Sequence, residues 1–329
     1  MDINPNRNGE IMKKHKLGNT GLEVTRIGFG VLAVGRTQLN LPIEKGADIL
    51  RYALERGINF LDTAQYYETY PYIKEALKGT SFDPIISSKC LDFSYDEMKF
   101  AVEEARIDMD RDIIDIFLLH EVQSSSDWLD RQGAWEYLNE AKAKGLVKAI
   151  GISTHYVDVT ELCVDIPEVD VVFPIINFKS LGIRHGDNPG TKEDMATAIK
   201  RNSDAGKGVF AMKVFGGGNL ARDYITAMDY VNSLPGIDSL MLGFGNKHEV
   251  DKAIEYACGT IDRNYAPDMT NKKMRIDQGD CLGCGICLQR CPNAAIFMNK
   301  DGMCDIDHDT CLTCGYCAPV CPIMAIIML

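Results

Sequence analysis

The sequence predicts an α/β (β/α)8 barrel of the TIM type followed by a small, cysteine-rich α+β module. Three observations predict it. Eight short apolar runs rich in β-branched residues alternate with amphipathic helical stretches over the first 260 residues. Nine of the twelve cysteines crowd between Cys281 and Cys321. A charged stretch with Pro267 separates the two regions, so residues 1–260, 261–275 and 276–329 read as barrel, linker and module.

The strand candidates are Val24–Val31, Asn59–Thr63, Pro84–Lys89, Ile113–His120, Val147–Ser153, Asp170–Asn177, Gly208–Phe215 and Ser239–Phe244. Helical patterns follow at Ile43–Arg56, Tyr72–Lys78, Tyr95–Met109, Trp128–Lys144, Lys192–Asn202, Asp223–Leu234 and Lys247–Cys258. Strands that alternate with helices pair in parallel, because each helix carries the chain back across the sheet. Eight such units in this length fit a closed barrel better than an open sheet.

Composition narrows the function classes. A hydrophobic content of 46% with 25% charged residues is that of a soluble globular chain. A formal net charge of −12 opposes nucleic-acid binding, which needs a basic footprint, and suits steering of a basic redox partner. No run reaches the roughly 18 apolar residues of a membrane helix. Met1 to Lys16 is polar and basic, without the apolar core of a signal peptide, so a cytoplasmic location is expected.

The cysteine spacing carries the first chemistry. Cys281, Cys284, Cys287 and Cys291, followed by Pro292, spell C-x2-C-x2-C-x3-C-P; Cys311, Cys314, Cys317 and Cys321, followed by Pro322, repeat it 30 residues later. Three thiolates at this spacing wrap one iron–sulfur cubane, and the fourth reaches across to the other cluster. One [4Fe–4S] cluster is therefore assigned to Cys281, Cys284, Cys287 and Cys321, and a second to Cys311, Cys314, Cys317 and Cys291. Zinc, the alternative for CxxC pairs, explains neither the 3-3-4 spacing nor the repeat. Gly283, Gly285 and Gly315 allow the tight turns around the sulfurs. Cys304 falls outside the pattern and reads as a small buried residue. Over residues 276–329 the segment resembles bacterial two-cluster ferredoxins. Its six aspartates against Arg290 and Lys300 give a balance of −4, which favours low potentials.

The strand ends carry the second chemistry, since barrel active sites lie at the C-terminal ends of strands. Asp62, Lys89 and His120 close the second, third and fourth strands, and Tyr67 follows in the loop after Asp62. Neighbouring strand ends aim these side chains into one mouth. A lysine beside a tyrosine is expected to lower the phenol's pKa, the aspartate to hold the lysine, and the histidine to orient a carbonyl oxygen. Tyr66 is the rival position for the tyrosine.

This constellation resembles the aldo-keto reductase family over roughly residues 16–260, supported by Leu17-Gly18-Asn19-Thr20-Gly21-Leu22-Glu23-Val24, Gly28-Phe29-Gly30 and Asp62-Thr63-Ala64 with Tyr67. The resemblance implies Tyr67 as general acid/base, Asp62 and Lys89 as its tuners and His120 as the substrate-orienting group. It also implies a nicotinamide dinucleotide, usually NADP(H), with NAD(H) as the variant. The loops after strands seven and eight are the usual phosphate site of such barrels. Here they are Gly216-Gly217-Gly218-Asn219 and Gly243-Phe244-Gly245-Asn246, with Lys213 as charge partner, Ser153 as flank, and Gly30 and Asn177 nearby.

The chain departs from the family pattern where a glutamine and a tyrosine usually hold the nicotinamide ring: Phe173 and Ile176 precede Asn177, and Ala253 stands at the usual adenine-reading asparagine. Hydride transfer moves two electrons whereas a cubane accepts one, and a flavin such as FMN works in both regimes. Three functions compete: carbonyl or alcohol redox chemistry on a small molecule coupled to the clusters, an electron carrier on a vestigial barrel, and a reductase whose clusters only staple the fold.

Overall fold

The computed structural model describes residues 12–329. Eight parallel strands close into a barrel: β1 (Ile27–Gly30), β2 (Phe60–Asp62), β3 (Ile85–Cys90), β4 (Ile114–Leu119), β5 (Val147–Thr154), β6 (Val171–Pro174), β7 (Gly208–Ala211) and β8 (Ser239–Leu242). Closure comes from β8 beside β1, with Leu240, Met241 and Leu242 opposite Ile27, Gly28 and Phe29. The strands read as continuous apolar runs because both their faces are buried. Inward-facing Phe60, Ile116, Phe173, Phe210 and Met241 fill the barrel, with Phe173 stacked on Phe210 at 4.2 Å.

The helices α1 (Ile43–Glu55), α2 (Tyr70–Leu77), α3 (Tyr95–Asp108), α4 (Gln132–Ala143), α5 (Val157–Leu162), α6 (Lys192–Asp204), α7 (Tyr224–Ser233) and α8 (Lys247–Ala257) form the outer ring. Local chemistry starts several of them. Ser94 and Glu97 form a reciprocal capping box on α3, and Thr191 caps α6 by accepting from the Asp194 amide. Among the described residues no helix is long and apolar enough to cross a membrane.

Two differences from the sequence pattern stand out. The apolar run Val24–Val31 divides. Glu23–Thr25 pairs with Lys14–Lys16 in an antiparallel hairpin, and only Ile27–Gly30 joins the barrel. Thr25 turns the chain between them, its hydroxyl donating to the Ile27 carbonyl at 2.7 Å. The second difference is α5, six residues that no helical pattern announces and that begin without a side-chain cap.

The module has two antiparallel ribbons. Strand β9 (Met274–Ile276) pairs with β12 (Ile326–Met328), and β10 (Ile296–Met298) with β11 (Cys304–Ile306). Its core joins Met274, Ile276, Ile296, Ile306 and Ile326 to buried Cys287, Cys317 and Cys304. The module sits on the C-terminal mouth of the barrel. Met324 is buried in the barrel's own apolar cluster, the Met328 amide donates to the Gly217 carbonyl at 2.7 Å, and Arg275 donates to the Gln38 carbonyl at 2.6 Å.

Candidate active site

Asp62, Lys89 and His120 reach one point because their strands are neighbours in register, Asp62 opposite Ser87 and Lys89 opposite Leu118. Lys89 Nζ donates to both Asp62 oxygens at 2.9 and 2.8 Å and to the Thr63 carbonyl at 2.7 Å. Lys89 is 1% exposed and Asp62 5%, so each charge is tolerable there only because the other is present. Burial alone pushes Asp62 up and Lys89 down, and their mutual attraction opposes both shifts.

Tyr67 ends a short 3-10 turn, Gln65–Tyr67, which swings its ring over the ion pair. Its hydroxyl lies 3.3 Å from His120 Nε2, and Lys89 Nζ lies 4.9 Å from its ring centre. His120 Nδ1 is buried without a hydrogen-bond partner. Burial, then the cations Lys89, Arg131 and Lys213, hold the imidazole far below its ordinary pKa, so it is neutral. Arg131 fixes the backbone behind it, donating to the His120 carbonyl at 2.8 Å.

The Tyr67 phenol shifts opposite to the direction expected from the lysine. Burial raises it well above its ordinary value, and the negative charges of Asp62, Glu121, Asp280 and Asp277 add to the rise. The Lys89 charge is matched by Asp62 at hydrogen-bond distance, so little of it remains to favour a phenolate in the resting site. Tyr67 rests as a neutral phenol, a proton donor.

A cavity of about 240 Å³ runs from Asp62 and Tyr67 past Phe173 and Lys213 to the last three residues of the chain. Of the residues expected to hold a cofactor, Gly30, Lys213, Gly217, Gly218, Gly243 and Gly245 line it. Gly216, Ser153, Asn177 and Asn246 do not. Ser153 accepts from the Glu121 amide at 3.0 Å, and Asn177 brackets a loop through the Leu181 carbonyl and amide, both at 2.9 Å. Asn246 caps α8 by accepting from the Glu249 amide at 3.0 Å.

The two glycine loops do not fit a dinucleotide as arranged. Gly217 lies against Ile327, a Cβ on Gly218 would overlap the Met328 carbonyl, and the Gly245 amide donates to Glu249 at 2.7 Å. A carboxylate already occupies the anion position there. No feature of the described residues assigns the cavity to a flavin.

The cysteines do fit two cubanes. Cys281, Cys284, Cys287 and Cys321 line one small cavity of the module together with buried Cys304, and Cys291, Cys311, Cys314 and Cys317 line the other. These are the crossed sets expected from the spacing. Gly283, Gly285 and Gly315 turn with φ of 64°, 72° and 77°. Amides of Cys304, Ala295 and Thr313 point at the sulfurs of Cys281, Cys291 and Cys311 at 3.3–3.4 Å, the kind of contact that stabilises thiolate charge.

Two residues at the seam escape sequence patterns. Glu121, directly after His120, takes a left-handed backbone with φ 54°, and burial with Asp280 nearby pushes its carboxyl up to about 7. Its place at a strand end next to a candidate site residue was the available signal. Tyr66 packs its hydroxyl on Gly279, where a Cβ would overlap it, two residues before Cys281. Tyr66 thus touches the module while Tyr67 faces the cavity, their ring centres 6.3 Å apart.

Comparison with known proteins agrees with this division. The family model for the aldo/keto reductase family matches residues 26–255, and that for a 4Fe-4S dicluster domain matches residues 274–329. L-galactose dehydrogenase of Arabidopsis thaliana is 27% identical over 198 residues, 56% of this chain and 60% of that one. The uncharacterized oxidoreductase YqkF of Bacillus subtilis is 30% identical over 158 residues, 44% of this chain and 49% of that one. The chain therefore spans only about half to three-fifths of these curated relatives. Aldo-keto reductase AKR11C1 from Bacillus halodurans, in its holo form, superposes with a TM-score of 0.61 at 22% identity, over 75% of this chain and 90% of that one, a likeness of fold. The chain belongs to the aldo/keto reductase family and carries a 4Fe-4S dicluster domain at its C-terminal end.

Proposed function

We propose that the chain interconverts a small carbonyl compound and its alcohol at Tyr67, coupled to electron transfer through two [4Fe–4S] clusters. One observation carries the reading: Tyr67, its hydroxyl 3.3 Å from His120 Nε2 and its ring above the buried Lys89–Asp62 pair, lines a cavity that the last residues of the cluster module help to close. Family membership implies an oxidoreductase using NAD(P)H, and the dicluster domain implies iron–sulfur clusters.

In the reducing direction Tyr67 gives its proton to the carbonyl oxygen. Neutral His120 shares that oxygen through Nε2 and fixes its direction, and hydrogen bonds of this length in a free enzyme shorten when substrate binds. As the proton leaves, negative charge grows on Tyr67, and the Lys89 cation, 4.9 Å from the ring centre, stabilises it at that moment. Lys89 therefore serves the transition state more than the resting phenol. Asp62 keeps Lys89 charged and aimed. The overall conversion takes up two electrons, which the reduced clusters would supply, and two protons drawn from solvent, one reaching the oxygen through Tyr67 and one going to carbon. The cysteine sets Cys281/Cys284/Cys287/Cys321 and Cys291/Cys311/Cys314/Cys317 would hold the clusters, which supply electrons singly when bound. A small redox protein is the fitting electron partner for this acidic chain.

The test uses anaerobic protein with dithionite-reduced clusters and a panel of aldehydes, ketones and oxo acids. Re-oxidation, followed by electron paramagnetic resonance, is expected with at least one compound. It should slow about 10²–10⁴-fold in Tyr67→Phe at unchanged iron content, the usual worth of a positioned proton donor. Equal rates in the variant would remove Tyr67 from the chemistry and favour an electron carrier on a barrel platform, the reading that the filled glycine loops support.

A further inference from the structure

We infer that the chain's own C-terminal strand and Glu249 occupy the groove that would bind the phosphates of a dinucleotide, so that the docked protein excludes NAD(P)H. The inference concerns binding alone and stands whether or not Tyr67 handles a carbonyl.

Barrels of this kind bind phosphate with the loops after strands seven and eight, using free backbone amides at glycines. Both loops meet protein groups here, the first through a carbonyl and a side chain with a strand laid over its glycines, the second through an amide. After β7, the Gly217 carbonyl accepts from the Met328 amide at 2.7 Å, and Asn219 Nδ2 donates to the Ile326 carbonyl at 2.8 Å. Ile327 Cγ2 would come within 2.9 Å of a Cβ on Gly217. The strand edge thus lies in the concavity that three glycines with φ of 55°, 63° and 85° create. After β8, the Gly245 amide donates to one Glu249 oxygen at 2.7 Å, and Lys272 pairs with the other at 3.0 Å. A phosphate at that amide would meet a carboxylate in place of a donor, and like charges at contact distance repel.

The tail is held from its other side as well. Lys273 and Leu329 exchange backbone hydrogen bonds of 2.6 and 3.0 Å, so the strand cannot leave the groove without breaking the module's own sheet. What remains is a cavity of about 240 Å³ that runs from Tyr67 past both glycine loops to the tail, below the roughly 300–1,000 Å³ of pockets for drug-sized ligands. One segment closes the entrance of a two-electron donor while belonging to the module that takes electrons singly.

Calorimetric titration of the anaerobic holoprotein with NADPH, and separately with NADH, tests this directly. No saturable binding is expected with either at millimolar concentration. Saturable binding of either overturns the inference. The full-length double variant Glu249→Ala/Ile327→Ala should bind NADPH at least ten-fold more tightly than the parent at the same iron content. Failure to gain affinity in a variant that keeps its iron overturns the claim that these groups are the obstacle. Should that variant lose iron, hydrogen exchange of the parent decides. The Met328 amide should exchange at the same rate with and without excess NADPH, and faster exchange with it overturns the inference.

Discussion

The two halves of the barrel mouth are made from the same kind of strand end, yet their polar groups face different things. In the half formed by β2, β3 and β4, Tyr67 lines the cavity with His120 at its hydroxyl, and the charge beneath them is balanced within the barrel by Lys89 and Asp62. In the half formed by β7 and β8, the carbonyl of Gly217, the amide of Gly245 and the side chain of Asn219 are bound to the C-terminal strand or to Glu249. On the proposed function the first half meets a reacting molecule, while the second holds the module. An active-site half can thus keep its chemistry while the neighbouring half becomes a docking surface.

If the halves are independent in this way, damage to the module should disturb only the second. Cys321→Ser removes the ligand that crosses from the second run, and total iron should fall from about eight to about four per chain. Hydrogen exchange should then quicken at the Met328 amide and stay unchanged at His120. Equal disturbance of both halves would erase the distinction.

Lys89→Met attacks the first half. It leaves the Asp62 carboxylate buried without its cation, and breaking such a pair costs about 3–5 kcal/mol. Denaturant unfolding of the variant measures this. A loss under 1 kcal/mol would mean that Asp62 is not charged in the folded protein. The cluster cavities lie outside this change, so iron content should hold.

Glu121 stands between the halves, near Asp280, Lys213, Lys89 and Arg131. Its folded pKa of about 7 lies above that of an unfolded glutamate near 4.3. Between those values the unfolded chain releases the proton that the folded chain keeps, so stability falls as pH rises toward 7. Glu121→Gln should flatten this fall, gaining stability over the parent at pH 8 and none at pH 4. Parallel curves for the two proteins would place Glu121 in ordinary solvent. The expected effect is the smallest of the three, because part of the side chain remains accessible.

How much of this was legible before the structure depends on the range of the signal. The barrel strands were, since both faces of each are buried and they read as apolar runs, although the first run divides at Thr25. Asp62, Lys89 and His120 were, because each charged or polar residue closes such a run. The crossed cysteine sets were, because a 30-residue repeat fixes which thiolates can meet. The short α5 was not, having neither length nor a cap, and the Tyr67 shift was misjudged because burial of the phenol raises it and the Asp62 charge cancels the lysine's. The filling of the glycine loops lay out of reach: Asn219 and Ile326 are 107 residues apart, and nothing in either segment names the other. The same glycines that suit a phosphate suit the close approach of a strand.

The first and last strands of the module are partners, Met274 opposite Met328. Linker and tail therefore leave the same edge, and that edge is the one fastened to the barrel through Arg275, Ile326 and Met328. Such an arrangement holds the module by both terminal strands at once, since swinging it away would break the barrel contacts of Arg275, Ile326 and Met328 together. Barrel and module should accordingly melt as one cooperative unit, in a single calorimetric transition, although their sequences read as two domains.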